Sequence, residues 1–317
     1  MKHLTAEQVR AALPMSEAIE IVKDTMIRVS EGRANLPLRT IMDIDGTNKL
    51  GMMPGTLHDP TLYGVKLLSL FPGNPARGLS SHIGVVILFD AATGAPVVSM
   101  DADAITAIRT AAATAAATRA LAREEAEVLA IVGTGEQAQT HIDAIRLVRP
   151  VREIRIAGRT PDSAERFARR QADRHPDVTF TACTGVEEAV RGADIVCTVS
   201  SSAEIVLRGR WIGAGAHVNA VGASIPTMQE IDTEMVKRAR LFVDYKPSAL
   251  AQAREIISAL ETGEIAETHI QAEIGEVFGQ RVPGRTSPEE MTLYRSLGIA
   301  AQDLACADHV RRQAGAP

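Results

Sequence analysis

The chain has 317 residues, 45% hydrophobic and 23% charged, an ordinary globular composition long enough for two domains with sizeable cores. Lys and Arg total 34 against 39 Asp and Glu, a formal net charge of -5, and aromatic content is 3%. With no stretch that gathers positive charge and few rings to stack on bases, a nucleic-acid partner is excluded.

Cys183, Cys197 and Cys306 are odd in number and far apart. They fit neither a zinc cluster nor a disulfide framework, so no metal is expected and a reducing cytoplasm is the natural compartment. The start, from Met1 to Gln8, has no apolar signal core. The Ala-rich stretch from Ala104 to Ala122 contains Arg109, Arg119 and four threonines, so it reads as a buried helix and not a membrane span.

Residues 3–32 read as helix, with a capped start at Thr5, a second helix from Pro14 and a stop at Gly32. From Leu36 to Val98, short apolar runs (39–44, 49–53, 64–71, 82–89, 96–100) alternate with turn signals such as Asp45-Gly46-Thr47 and Ala92-Thr93-Gly94, predicting a largely antiparallel sheet. Residues 101–125 form one long helix with Asp101 and Asp103 at its positive end. Strands at 127–132, 153–157, 178–182, 195–199, 217–221 and 240–243 follow, interleaved over the first half with helices at 137–146, 161–174 and 185–190. That rhythm predicts an α/β fold with a doubly wound parallel sheet. The tail, 287–310, reads as a last helix or two.

The strand Val128–Val132 runs into Gly133-Thr134-Gly135-Glu136-Gln137-Ala138, a G-x-G-x-x-A turn opening a helix. Gly133 permits the tight turn, Gly135 lets backbone approach a pyrophosphate, and Ala138 allows close helix–strand packing. The helix N-terminus at Glu136 and Gln137 offers N–H donors to phosphate. The context makes this a dinucleotide site. The second strand ends in Gly158-Arg159-Thr160 with no carboxylate before Asp162, which leans toward NADP; an Arg159 that only stacks on adenine leaves NAD usable.

Three cations occupy unexpected places: Arg39 opens a strand, Lys66 lies among apolar residues, and Arg109 interrupts a small-residue helix. Singly each reads as well as a solvated or capping charge; together they suggest a pocket for a small anion. No hydroxyacid-type His-Asp pair follows the fingerprint.

Several collinear segments resemble the ornithine cyclodeaminase / mu-crystallin family over nearly the whole chain: Leu38-Arg39-Thr40, Gly51-Met52-Met53-Pro54, Val65-Lys66, Ser81-His82-Ile83-Gly84, Leu88-Phe89-Asp90, residues 105–112, the fingerprint, residues 220–224 and residues 296–300. The resemblance implies that Arg39, Lys66 and Arg109 hold the substrate carboxylate and line the nicotinamide pocket, and that Arg109 and Thr110 lie against the cofactor phosphates. Ser200, Val221 and Gly298 complete the candidate cofactor set. It further implies a homodimer, with a discontinuous α+β substrate and dimerisation domain (1–115 and 299–317) and a Rossmann dinucleotide domain (116–298).

Within that family, cyclodeaminases carry an aspartate where this chain has Ser224, the residue of the ketimine reductases. A serine hydroxyl hydrogen-bonds but is no proton acceptor near neutral pH. His82 is a secondary candidate for proton supply or a structural histidine. Asp303 either orients Lys66 or His82, or is a surface charge. Gln252-Ala253-Arg254-Glu255 departs from the family's acidic-Ser-Gly-Asp segment. Arg254 in the pocket would favour a second substrate carboxylate, as in iminosuccinate; Arg254 in solvent leaves a cyclic ketimine as good.

The resulting expectation is an NAD(P)H-dependent reductase of small 2-imino acids, reversible as an amino-acid dehydrogenase. The alternatives are a cyclodeaminase-type lyase and a silent small-ligand-binding protein.

Overall fold

The structure, a computed structural model, describes residues 1–315 apart from the side chain of Pro75. The chain forms two compact units, Met1–Arg109 with the segment from Ile299 onward, and Thr110–Gly298.

In the first unit, β1 (Lys2–Leu4) is followed by α1 (Ala6–Ala12) and α2 (Met15–Ser30). A strand thus stands where the sequence reads as the start of helix, because Lys2–Leu4 adds in parallel to β7 and becomes the edge of the sheet. The capping box is present: the Thr5 hydroxyl accepts from Gln8 N and the Gln8 side chain accepts from Thr5 N. Strands β2 (Ala34–Asn35), β3 (Thr40–Asp43), β4 (Lys49–Leu57), β5 (Leu62–Leu70), β6 (His82–Phe89) and β7 (Pro96–Asp101) make a sheet of order β1-β7-β6-β5-β4-β2, with β3 also on β4. All pairs but β1–β7 are antiparallel. Strand β4 continues past the predicted end at Met53 because Pro54 falls in the gap between the segments paired to β3 and β2, where no ladder is broken.

Helix α3 (Ala102–Leu121) begins with Asp101 accepting from Ala104 N. In the second unit, the guanidinium groups of buried Arg149 and half-buried Arg285 close its C-terminus. Arg149 donates to the carbonyls of Arg119, Ala122 and Arg123, and Arg285 to that of Leu121.

The second unit continues with β8 (Val128–Val132), α4 (Glu136–Ile145), β9 (Glu153–Ala157), α5 (Pro161–Arg174), β10 (Thr179–Ala182), α6 (Val186–Val190), β11 (Ile195–Thr198), β12 (His217–Ala220), α7 (Thr233–Arg238), β13 (Arg240–Val243), α8 (Lys246–Gln252), α9 (Arg254–Glu261), β14 (Ile270–Glu273), α10 (Ile274–Phe278) and β15 (Thr292–Arg295). Its eight strands are all parallel, in order β10-β9-β8-β11-β12-β15-β13-β14. This is the Rossmann-type doubly wound sheet, with its switch point between β8 and β11. Strand β15 corrects the expectation that residues 287–310 are purely helical. Thr292-Leu293-Tyr294-Arg295 is too short and too polar to announce a strand, yet it is fully buried between β12 and β13. Helix α11 (Ala300–Gln313) then returns to the first unit.

Among the described residues, no helix is long and apolar enough to cross a membrane.

Candidate active site

In the first unit, Lys66 lies on the face of β5 that α11 covers. Two glycines set how closely that helix approaches. A Cβ at Gly64 would come within 2.8 Å of Leu304, and one at Gly55 within 2.9 Å of the Ala300 side chain. The helix therefore rests almost on backbone, and Asp303 from its first turn reaches the strand. Lys66 Nζ is 2.9 Å from each Asp303 oxygen and 3.4 Å from the Thr106 hydroxyl. Arg109, from α3, donates through Nε to Asp303 Oδ1 at 2.9 Å and through Nη1 to Gln302 Oε1 at 3.0 Å.

The side chains of Lys66, Arg109 and Asp303 are 2%, 6% and 0% exposed, so these charges are held out of water and depend on one another. Burial brings the Lys66 pKa down to about 8 against the pull of Asp303, with Arg109 and Arg39 adding to the lowering. Burial alone would raise the Asp303 carboxyl, but the Arg109 and Lys66 cations outweigh it and hold it below the ordinary range. Asp303 is thus a buried charge that orients Lys66, and not a surface charge.

Half-buried Arg39 is near enough to act on Lys66. The His82 ring still meets solvent and bonds Ser81 Oγ at 2.8 Å; the protein packed around it and the Lys66 charge lower its pKa. The structure therefore groups Lys66, Arg109, Asp303, Arg39 and His82. Two buried cations, Lys66 and Arg109, face the one Asp303 carboxylate, an arrangement that favours an incoming anion.

The second unit carries the fingerprint. Gly133 has φ +134° and passes so close to Val199 that a Cβ would be 2.9 Å from its carbonyl. Gly135, the N-cap of α4, has φ -92° and open space where a side chain would project; no side chain caps the helix. Gln137 Oε1 is buried without a partner, as is the hydroxyl of Thr110, one turn before the Thr114 that bonds His141 of α4. An uncapped helix start, an open glycine and orphaned polar atoms fit a dinucleotide pyrophosphate. Arg159 is exposed after β9, and among the described residues no ion pair engages it. The Thr160 hydroxyl caps α5.

The loops after β11 and β12 hang on a residue that the sequence reading missed. Glu230 is 2% exposed and accepts from Ser200 N (2.9 Å), the Ser200 hydroxyl, Thr198 Oγ1 (3.1 Å), Gly222 N (2.7 Å) and Ala223 N (3.2 Å). Burial raises its pKa, opposed by these donors and by Arg295. Val221 is buried beside Gly222, and half-buried Ser224 follows on the same loop. Asp244 plays the same part for the loop after β15, accepting from Leu297 N (2.7 Å) and Gly298 N (2.6 Å). Neither acid belongs to a motif; only burial in the fold reveals them. Arg254 is 44% exposed and pairs with Glu261 along its own helix, so it is a solvent-facing charge.

The sequence profile of the Ornithine cyclodeaminase/mu-crystallin family matches residues 2–316. The chain belongs to this family. Within it, the chain is 34% identical to the ketimine reductase mu-crystallin of Mus musculus, covering 96% of this chain and 94% of that one. It is 33% identical to an alanine dehydrogenase of Archaeoglobus fulgidus, covering 98% and 94%. The Thermococcus litoralis Delta(1)-pyrroline-2-carboxylate reductase, solved with NADH and L-proline, superposes with TM-score 0.94 at 33% identity, covering 99% and 97%. These family members share an oxidoreductase chemistry at C=N or CH–NH groups, as the fingerprint and cation cluster lead one to expect.

Proposed function

We propose that this protein is an NAD(P)H-dependent reductase of small 2-imino acids, linear or cyclic, yielding L-amino acids and reversible as an amino-acid dehydrogenase. The observation that carries this reading is the buried Lys66–Asp303–Arg109 cluster with its excess of positive charge. The dihydronicotinamide supplies hydride when bound. Arg109 and Arg39 grip the substrate carboxylate and orient the C=N carbon. Lys66, with a pKa of about 8, is largely protonated at neutral pH and a stronger acid than an ordinary lysine. It holds a proton at the imine nitrogen, which keeps the carbon electrophilic and passes to the nitrogen as the C=N π pair settles there. Asp303 fixes Lys66 by accepting its hydrogen bond. Ser224 stands where cyclodeaminases carry an aspartate and cannot act as a base, which disfavours the cyclodeaminase reading. The solvent position of Arg254 removes the support for a second carboxylate.

The first unit serves substrate binding and dimerisation, the second the cofactor. The unpaired Arg159 supports NADP as the better cofactor, with NAD usable. A panel of keto acids with ammonia and of cyclic ketimines, assayed with NADPH and NADH, tests the reading; absence of turnover across the panel refutes it. The compartment is the cytoplasm.

Gly135→Val should leave the fold intact, because a Cβ there meets no protein atom within 4 Å. It should raise the KM for cofactor by about tenfold or more by obstructing the phosphates. Thermal melting and cofactor titration measure the two effects separately.

A homodimer is supported by the sheet face opposite α11. In register across β4, β5 and β6, Leu50, Met52, Val65, Leu67, Val85 and Ile87 remain only half-buried and Ile83 is exposed. An apolar face of this extent calls for a partner, and a second copy offers the same face. Leu67→Glu should convert the dimer to monomer in sizing with light scattering; an unchanged mass refutes this placement.

A further inference from the structure

Gln302 is fully buried beside the cluster, and its amide is used at both ends. Arg109 can only donate, so the atom 3.0 Å from Nη1 must be the amide oxygen. The amide nitrogen then points at Met26 Sδ, 3.4 Å away, a soft acceptor that is itself buried. A carboxylate is the ordinary partner of a buried guanidinium, but here it would turn a second oxygen toward a sulfur that cannot donate. The surroundings are therefore shaped for a neutral acceptor.

We propose that Gln302 is a positioning residue that holds Arg109 without neutralising it, and so sets the net positive charge with which the cluster receives a carboxylate. This rests on the reading that the cluster binds the substrate's carboxylate. Lys66 is faced by Asp303 from α11, Arg109 and Thr106 from α3, His82 from β6, and Arg39 ahead of β3. Asp303 is the one carboxylate in that set. An amide at 302 fixes the geometry of Arg109 and adds no second negative charge beside Lys66 and Arg109. A carboxylate at 302 would add a second negative charge within reach of both cations, weakening the pull on an anion and making Lys66 a weaker acid.

The test is Gln302→Glu, with Gln302→Met as companion, read in two independent ways. NMR titration of lysine labelled at the ε-carbon, with Lys66 assigned by its absence in Lys66→Met, measures its proton affinity without any turnover. Steady-state kinetics measure KM for the imino acid and for cofactor. For Gln302→Glu the expected result is about a tenfold gain in Lys66 proton affinity and a similar rise in KM for the imino acid, with cofactor KM unchanged. An unmoved Lys66 titration in a folded Gln302→Glu protein overturns the proposal, whatever the activity. If Gln302→Glu does not fold, Gln302→Met decides. A raised KM for the imino acid with Lys66 unmoved supports the role, and an unchanged KM overturns it. A Lys66 shift in Gln302→Glu, with a wild-type protein that reduces no imine, would instead refute the proposed function and leave the charge-setting role standing.

Discussion

Lys66→Met should lower kcat for imine reduction by about 10²–10⁴-fold, the range expected for loss of a positioned proton donor. Methionine keeps the length and apolar stem of the side chain, so β5 and its packing against α11 survive. Cofactor affinity should be unchanged, because every fingerprint residue lies in the other unit. The same proton makes the reaction sensitive to pH. Lys66 must be charged to donate, and its pKa is about 8. The rate of reduction should therefore be flat near neutrality and fall as pH rises through about 8, where an ordinary lysine would still be protonated. In Lys66→Met that alkaline limb should vanish. A variant with near-normal kcat, or one that keeps the limb, would show that another group carries the proton.

Asp303→Ala should have the second large effect, and on stability as well as activity. Its carboxylate is fully buried and serves two buried cations at 2.9 Å. Removing it leaves Lys66 and Arg109 facing each other without a counter-charge. Breaking a buried pair in this way costs about 3–5 kcal/mol, read as a lower midpoint in chemical denaturation. Asp303→Asn keeps the shape and separates charge from packing. The Asp303 charge raises the Lys66 pKa, so its loss lowers that pKa further. The alkaline limb of the asparagine variant should accordingly move to lower pH, with a lower kcat at neutrality. A limb that moves upward would contradict the assigned electrostatics.

The parts of the molecule that announced themselves in sequence are those with local rules. The Thr5 and Gln8 capping box, the Gly133-x-Gly135 turn and the strand–helix rhythm after Glu127 each follow from neighbours a few residues apart. Lys66 and Arg109 stood out because a cation among apolar or small residues is costly unless paired. What escaped depends on distant partners. Thr292–Arg295 is a strand only because β12 and β13 leave a slot for it, and Lys2–Leu4 only because β7 offers an edge. Glu230 and Asp244 look like surface acids until the fold buries them against backbone N–H groups, Glu230 from two loops and Asp244 from the loop after β15. Gln302 was masked by its neighbour Asp303, and its partners Arg109 and Met26 lie almost two hundred or more positions away in the chain.

The central claim is that hydride passes from the dihydronicotinamide to an imine carbon held by this cluster. Isotope transfer tests it most directly. Cofactor carrying deuterium at the transferring carbon, supplied with an imino acid, should yield an L-amino acid bearing one deuterium at Cα for each cofactor oxidised, read by mass spectrometry and proton NMR. Protium at Cα, or proline and ammonia formed from ornithine with no net consumption of cofactor, would contradict it.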